Sequence, residues 1–138
     1  MKVINGVNHI TINVTDLEES KRFYESVFGL PAAGYVDMGD HTLTYYDLGG
    51  GIRLELIDYV QKEDILSVSR TRRGMYLHMC LETETLQQLC EIADRCRALG
   101  TQIRKEPSFV EKLHCCNILV TDPSGVEIEV LCKREEER

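Results

Sequence analysis

Four side chains stand out by type and by place: His9, Glu55, His78 and Glu129. Each histidine sits in a short run of alternating apolar and polar residues just ahead of a helix-patterned stretch. Each glutamate lies four residues past a turn glycine, Gly51 or Gly125, in a second alternating run. Neutral imidazole nitrogens and carboxylate oxygens are borderline-to-hard donors, and two of each leave open positions in an octahedral shell for water or substrate oxygens. A set of this kind suits Zn, Ni, Co, Mn or Fe(II). One His beside one Glu is commonly an ordinary cross-strand pair. It is the recurrence of the pair, in phase, that points to a divalent ion.

The elements that must position these residues repeat as well. From His9 to Val14 the period-two pattern puts Ile10, Ile12 and Val14 on one side of a strand and His9, Thr11 and Asn13 on the other. Asp16 offers an N-cap with Glu19 three residues on, and Leu17, Phe23, Tyr24, Val27 and Phe28 follow at helical spacing until Gly29 closes the helix. A Gly-rich, Asp-containing stretch from Gly34 to Asp40 precedes the next strand-prone run. The runs Thr42 to Tyr46 and Ile52 to Ile57 read as strands, separated by the turn Gly49-Gly50-Gly51.

The second half keeps the order. Tyr76 to Leu81 alternates as a strand with His78 in its middle, and Leu86, Leu89, Cys90, Ala93 and Leu99 trace a helix face ending at Gly100. Cys116 to Val120 and Val126 to Leu131 read as strands around the turn Asp122-Pro123-Ser124-Gly125. The expected fold is α+β: two tandem βαβββ modules whose apolar strand sides pack on helices. Their polar sides then face a cleft enclosed by an open mixed barrel. The expected boundaries are a first module at 1–60, a linker at 61–74, a second module at 75–133 and a charged tail at 134–138.

Composition narrows the function classes. With 23 acidic against 16 basic residues the net charge is −7, which repels phosphate backbones and anionic lipid, so neither nucleic acid nor membrane is an expected partner. The cluster Arg70, Arg72 and Arg73 is the local exception and reads as a solvated linker. No signal-like start or spanning run is present, so a cytoplasmic protein is expected. The six cysteines show no C-x-x-C spacing and read as reduced thiols. His41 and His114 read as loop histidines at the starts of third-strand regions. Cys80 and Tyr76 share the His78 side of their strand.

NHITINVTDLEESKRFYESVFGL at 8–30, RLELI at 53–57, the strand histidine His78 and DPSGVEIEVL at 122–131 together resemble the vicinal oxygen chelate family. That family is also known as the glyoxalase, bleomycin-resistance and extradiol-dioxygenase superfamily. The resemblance implies paired modules around one divalent metal, with His9, Glu55, His78 and Glu129 as ligands and Glu129 or Glu55 as the proton-moving base. The His-Glu-His-Glu set most resembles glyoxalase I, a lyase, and implies a glyoxalase-like lyase or isomerase working through a metal-stabilised enolate. Asn13 stands where glyoxalase I carries a glutathione-contacting arginine, and Tyr59 where it carries an asparagine. The alternatives are a methylmalonyl-CoA epimerase-like isomerase, a ring-cleaving dioxygenase, or a metal-independent binding protein of the antibiotic-resistance kind. A small-molecule substrate and a homodimer are the partners implied.

Overall fold

The computed structural model describes Val3, residues 5–62 and residues 77–133. The chain divides into two compact units, Met1–Leu66 and Ser67–Arg138. Among the described residues each contains one α-helix and one four-stranded mixed sheet.

In the first unit β1 (His9–Asn13), α1 (Leu17–Ser26), β2 (Ala32–Asp37), β3 (His41–Gly49) and β4 (Ile52–Tyr59) follow one another, and the sheet order is β1-β4-β3-β2. In the second, β5 (Met79–Thr83), α2 (Leu86–Leu99), β6 (Ile103–Val110), β7 (Cys115–Thr121) and β8 (Glu127–Lys133) give the order β5-β8-β7-β6. The first strand of each unit pairs in parallel with the last, β1 with β4 and β5 with β8. A parallel pair requires a crossover, and here the helix and the two middle strands supply it. The α+β class and the βαβββ repeat therefore hold.

Local chemistry explains the helices. The Asp16 carboxylate accepts from the Glu19 backbone N–H at 3.1 Å, which caps α1. Thr85 and Gln88 form a reciprocal capping box on α2, and Gly100 ends that helix with φ 75, in the left-handed region that favours glycine. The core is the helix-facing side of each sheet. In unit one it contains Ile12, Tyr46, Leu54 and Leu56 with Phe23, Tyr24 and Val27 from the helical segment. In unit two it contains Met79, Ile118, Val120, Ile128 and Val130 with Leu89, Ile92, Ala93 and Cys96.

Several boundaries move from expectation. The Gly34 to Asp40 stretch begins inside a strand: β2 is an edge strand exposed along its whole length, and its register shifts between Ala32 and Gly34. β6 was hidden for a similar reason, since it is an edge strand with two register shifts and contains Pro107, which edges tolerate. Helix α1 ends at Ser26 and Val27 is its C-cap, so Phe28 and Gly29 lie beyond it. His78 is not mid-strand but directly precedes β5, whose ladder opens at Met79 opposite Ile128. Tyr76, the arginine cluster, the tail and most of the expected linker lie outside the described residues.

Leu54 is fully buried on the helix side while its strand neighbour Glu55 faces the other way. Leu54→Ala is expected to lower unfolding free energy by about 2–5 kcal/mol in urea titration. His9→Ala, on the opposite face and half-exposed, should cost far less; equal costs would contradict the assignment of faces.

Candidate functional site

The parallel ladders set the site geometry one rung at a time. In unit one β1 and β4 align His9 with Arg53, Thr11 with Glu55 and Asn13 with Ile57, all on the side away from the core. In unit two β5 and β8 align Cys80 with Glu129 and Glu82 with Leu131 on the corresponding side. Thr11 and Cys80 therefore hold equivalent rungs, as do Glu55 and Glu129, and in each unit the histidine sits two residues before the rung shared with the glutamate.

The structure brings His9 to Glu55 and His78 to Glu129, each pair within its own unit. His9 Nε2 lies 3.9 Å from Glu55 Oε1, and His78 Nε2 lies 4.0 Å from Glu129 Oε1. Two donors that each reach a divalent ion at about 2.0–2.2 Å stand at most about 4.3 Å apart, so either pair can serve one cation with its atoms nearly in place. Within neither unit do three His, Cys, Asp or Glu side chains gather as a metal-binding group among the described residues.

The other ring nitrogen of each histidine is already engaged. His9 Nδ1 donates to the Asn8 amide oxygen at 2.7 Å, and His78 Nδ1 donates to Glu127 Oε2 at 2.8 Å. With Nδ1 carrying the proton, the lone pair of the neutral ring is on Nε2, the atom that faces the glutamate. Metal-bound histidines are ordinarily fixed in this way. The donor set thus fits a divalent cation by type and by tautomer.

The carboxylates are held as well. Glu55 is buried, accepts from Thr11 Oγ1 at 3.0 Å on Oε1 and from the Tyr45 hydroxyl on Oε2. The hydrogen bond to Glu55, followed by desolvation and the charge of Glu55, raises the Tyr45 hydroxyl above its ordinary range. The Arg53 guanidinium, 4.2 Å from the Tyr45 ring centre, partly offsets that rise. Glu129 accepts from the Asn117 amide at 3.0 Å, and Lys105 donates to the oxygen of that amide. Desolvation pushes Glu129 up. Hydrogen bonds from Cys80 and Asn117, with the electrostatic influence of the nearby His78 ring and Lys105 ammonium, together outweigh it and hold the carboxyl below its ordinary range.

Tyr45, Asn117, Lys105 and Glu127 were not singled out from the sequence. Glu127 was legible in principle, two residues before Glu129 and so on its face. Tyr45 and Asn117 required the hairpin register, which pairs Tyr45 with Glu55 and places Asn117 diagonal to Glu129. His41 opens β3, hydrogen-bonds Asp40 and stacks against Tyr59, while His114 caps a short 3₁₀ turn with φ 51. Neither joins the His–Glu pairs.

Comparison with known proteins assigns the class. Residues 6–130 match the Glyoxalase/Bleomycin resistance protein/Dioxygenase superfamily, and the chain belongs to that family. Human mitochondrial methylmalonyl-CoA epimerase is 22% identical over 130 residues, covering 85% of this chain and 72% of that protein. A glyoxylase/bleomycin resistance protein/dioxygenase domain from Frankia superposes with a TM-score of 0.77 at 18% identity, covering 95% of this chain and 99% of its own. The fosfomycin resistance protein FosX of Listeria monocytogenes superposes at 0.71 with 20% identity, covering 99% and 97%. A mutant of that protein has been seen in complex with Mn(II) and 1S,2S-dihydroxypropylphosphonic acid.

The Cys80 thiol is pushed up to about 12, first by desolvation and then by its hydrogen bond to Glu129 and the charge there. The residue as a whole is exposed, so the desolvation is local to the sulfur, and the carboxylate is the part that mutation can remove. In chelator-treated protein at pH 8, Cys80 should alkylate slowly because little thiolate forms. Glu129→Gln should speed it several-fold by mass-spectrometric labelling; an unchanged rate would mean that thiol and carboxylate do not interact.

Proposed function

We propose that this chain is a divalent-metal-dependent enzyme that moves a proton beside a carbonyl of a small, oxygen-chelating substrate, as a glyoxalase-like lyase or isomerase. His9, Glu55, His78 and Glu129 are its metal ligands in this reading. The observation that carries it is the twice-repeated arrangement of a histidine locked at Nδ1 with Nε2 turned to a glutamate. An accidental polar pair has no reason to repeat the tautomer as well as the residue types. The Mn(II) seen with the structurally similar FosX mutant supports a divalent ion in a protein of this fold.

When bound, the cation supplies Lewis acidity to a carbonyl oxygen and so acidifies the neighbouring C–H. The chain's own groups do the rest. Glu55, with a hydroxyl donor on each oxygen, is built as a fixed ligand. Glu129 has an amide donor on Oε2 and the weaker thiol donor of Cys80, turns Oε1 to His78, and with its side chain 21% exposed against 9% for Glu55 is the more accessible carboxylate. Held below its ordinary range, it is ionised at neutral pH, takes the proton and returns it to the adjacent carbon. Lys105, acting through Asn117, fixes the other edge of that carboxylate.

A second reading has a specific support, the match to methylmalonyl-CoA epimerase along most of this chain. It would begin with the same proton removal, at the carbon next to a thioester carbonyl, and end with a proton returned to the opposite face of that same carbon. The two are separated by substrate: methylglyoxal with a thiol on one side, branched acyl-CoA thioesters on the other.

Purified protein is expected to contain about one divalent ion per chain by elemental analysis, as a four-ligand set requires, and His78→Ala to lose most of it. Metal retained in full by that variant would remove His78 from the set. In deuterated water a turned-over substrate should gain deuterium at the carbon beside its carbonyl. Glu129→Gln should abolish that exchange by several orders of magnitude while Glu55→Gln chiefly weakens metal retention. The reverse pattern would make Glu55 the base.

A further inference from the structure

We infer that Glu127 is a positioning residue for His78, holding the imidazole so that Nε2 alone is left to ligate. The inference rests on the metal reading above but concerns a residue that reading does not use. Glu127 stands two residues before Glu129 on the same face of β8, one rung before the pairing of Met79 with Ile128. Its Oε2 accepts from His78 Nδ1 at 2.8 Å, and its Oε1 accepts from Arg104 Nη1 at 2.5 Å.

Both oxygens are thus committed, and Arg104 balances the charge that would otherwise sit largely buried, since the Glu127 side chain is only 12% exposed. A carboxylate so placed is a poor candidate for a ligand. It is well placed to fix one: the ring is oriented, its proton is assigned to Nδ1, and Nε2 is directed at Glu129 Oε1. Arg104 comes from β6, on the far side of β7, so groups from two non-adjacent strands of unit two, β6 and β8, act together on a single imidazole.

Unit one achieves the same tautomer differently. The rung equivalent to Glu127 holds Arg53, whose guanidinium lies over Tyr45, and His9 Nδ1 turns instead to its chain neighbour Asn8. One histidine is therefore fixed by a neutral amide next to it in sequence, the other by a carboxylate that is itself clamped. The clamp makes His78 the more firmly set of the two.

The test uses full-length protein, first stripped of metal. Long-range proton–nitrogen correlation spectra of ¹⁵N-labelled protein should show His78 with its proton on Nδ1. Glu127→Leu should shift the ring toward the Nε2–H form, and Glu127→Gln, whose amide oxygen can still accept, should restore the original signature. Zn(II) affinity, read by competition with a chromophoric chelator, should fall about 10–100-fold in Glu127→Leu and recover most of that loss in Glu127→Gln. An unmoved tautomer in Glu127→Leu overturns the inference, as does a moved tautomer with unchanged Zn(II) affinity. If Glu127→Leu does not fold, a Glu127→Gln protein that loses the Nδ1–H signature overturns it equally. Wild-type protein that binds no Zn(II) while His78 shows the Nδ1–H form would instead sink the metal reading and leave the clamp standing.

Discussion

The parallel pairing of first and last strands in each unit is the constraint on which the rest depends. In a pleated ladder, neighbours on one rung share a face, and a shift of one residue exchanges the two faces entirely. The rungs Thr11–Glu55 and Cys80–Glu129 therefore fix at once which glutamates leave the core, which small polar group supports them, and where the histidines stand. The buried residues Leu54, Leu56, Ile128 and Val130 enforce this register, because slipping it would bring Glu55 or Glu129 against the helix. Hydrophobic burial, not the site's own polar bonds, holds the donors in line.

On that shared scaffold the two units have diverged in their supporting groups. Glu55 is held by two hydroxyls, Glu129 by a thiol and an amide, and the amide is in turn held by a lysine. Family membership and a shared fold do not select among the chemistries found on this architecture. The supporting groups are where the two units differ, hydroxyls on one carboxylate and a thiol and an amide on the other.

The modules were legible in the sequence because their cores follow simple periods: two for Ile10, Ile12, Leu54 and Leu56, and helical spacing for Leu89 and Ala93 with Gly100 as the stop. The edge strands were not. β2 is exposed at every residue and β6 is interrupted by register shifts, so neither leaves a one-sided apolar pattern to read. The four candidate donors were visible because they recur in phase. Tyr45 and Asn117 were not, because a cross-strand partner is identified only once the hairpin register is known, and two glycine turns of different length precede those registers.

The crossover in each unit has a kinetic corollary. Histidine and glutamate are brought side by side only after a helix and two intervening strands have been laid down, so the contact between them closes a loop spanning most of the module. Contacts of such long sequence separation carry a large loop-closure entropy and form late in folding. A nascent or partly unfolded chain therefore presents its imidazoles and carboxylates singly, as weak monodentate donors. The side-by-side placement of imidazole and carboxylate arises together with the completed sheet rather than ahead of it.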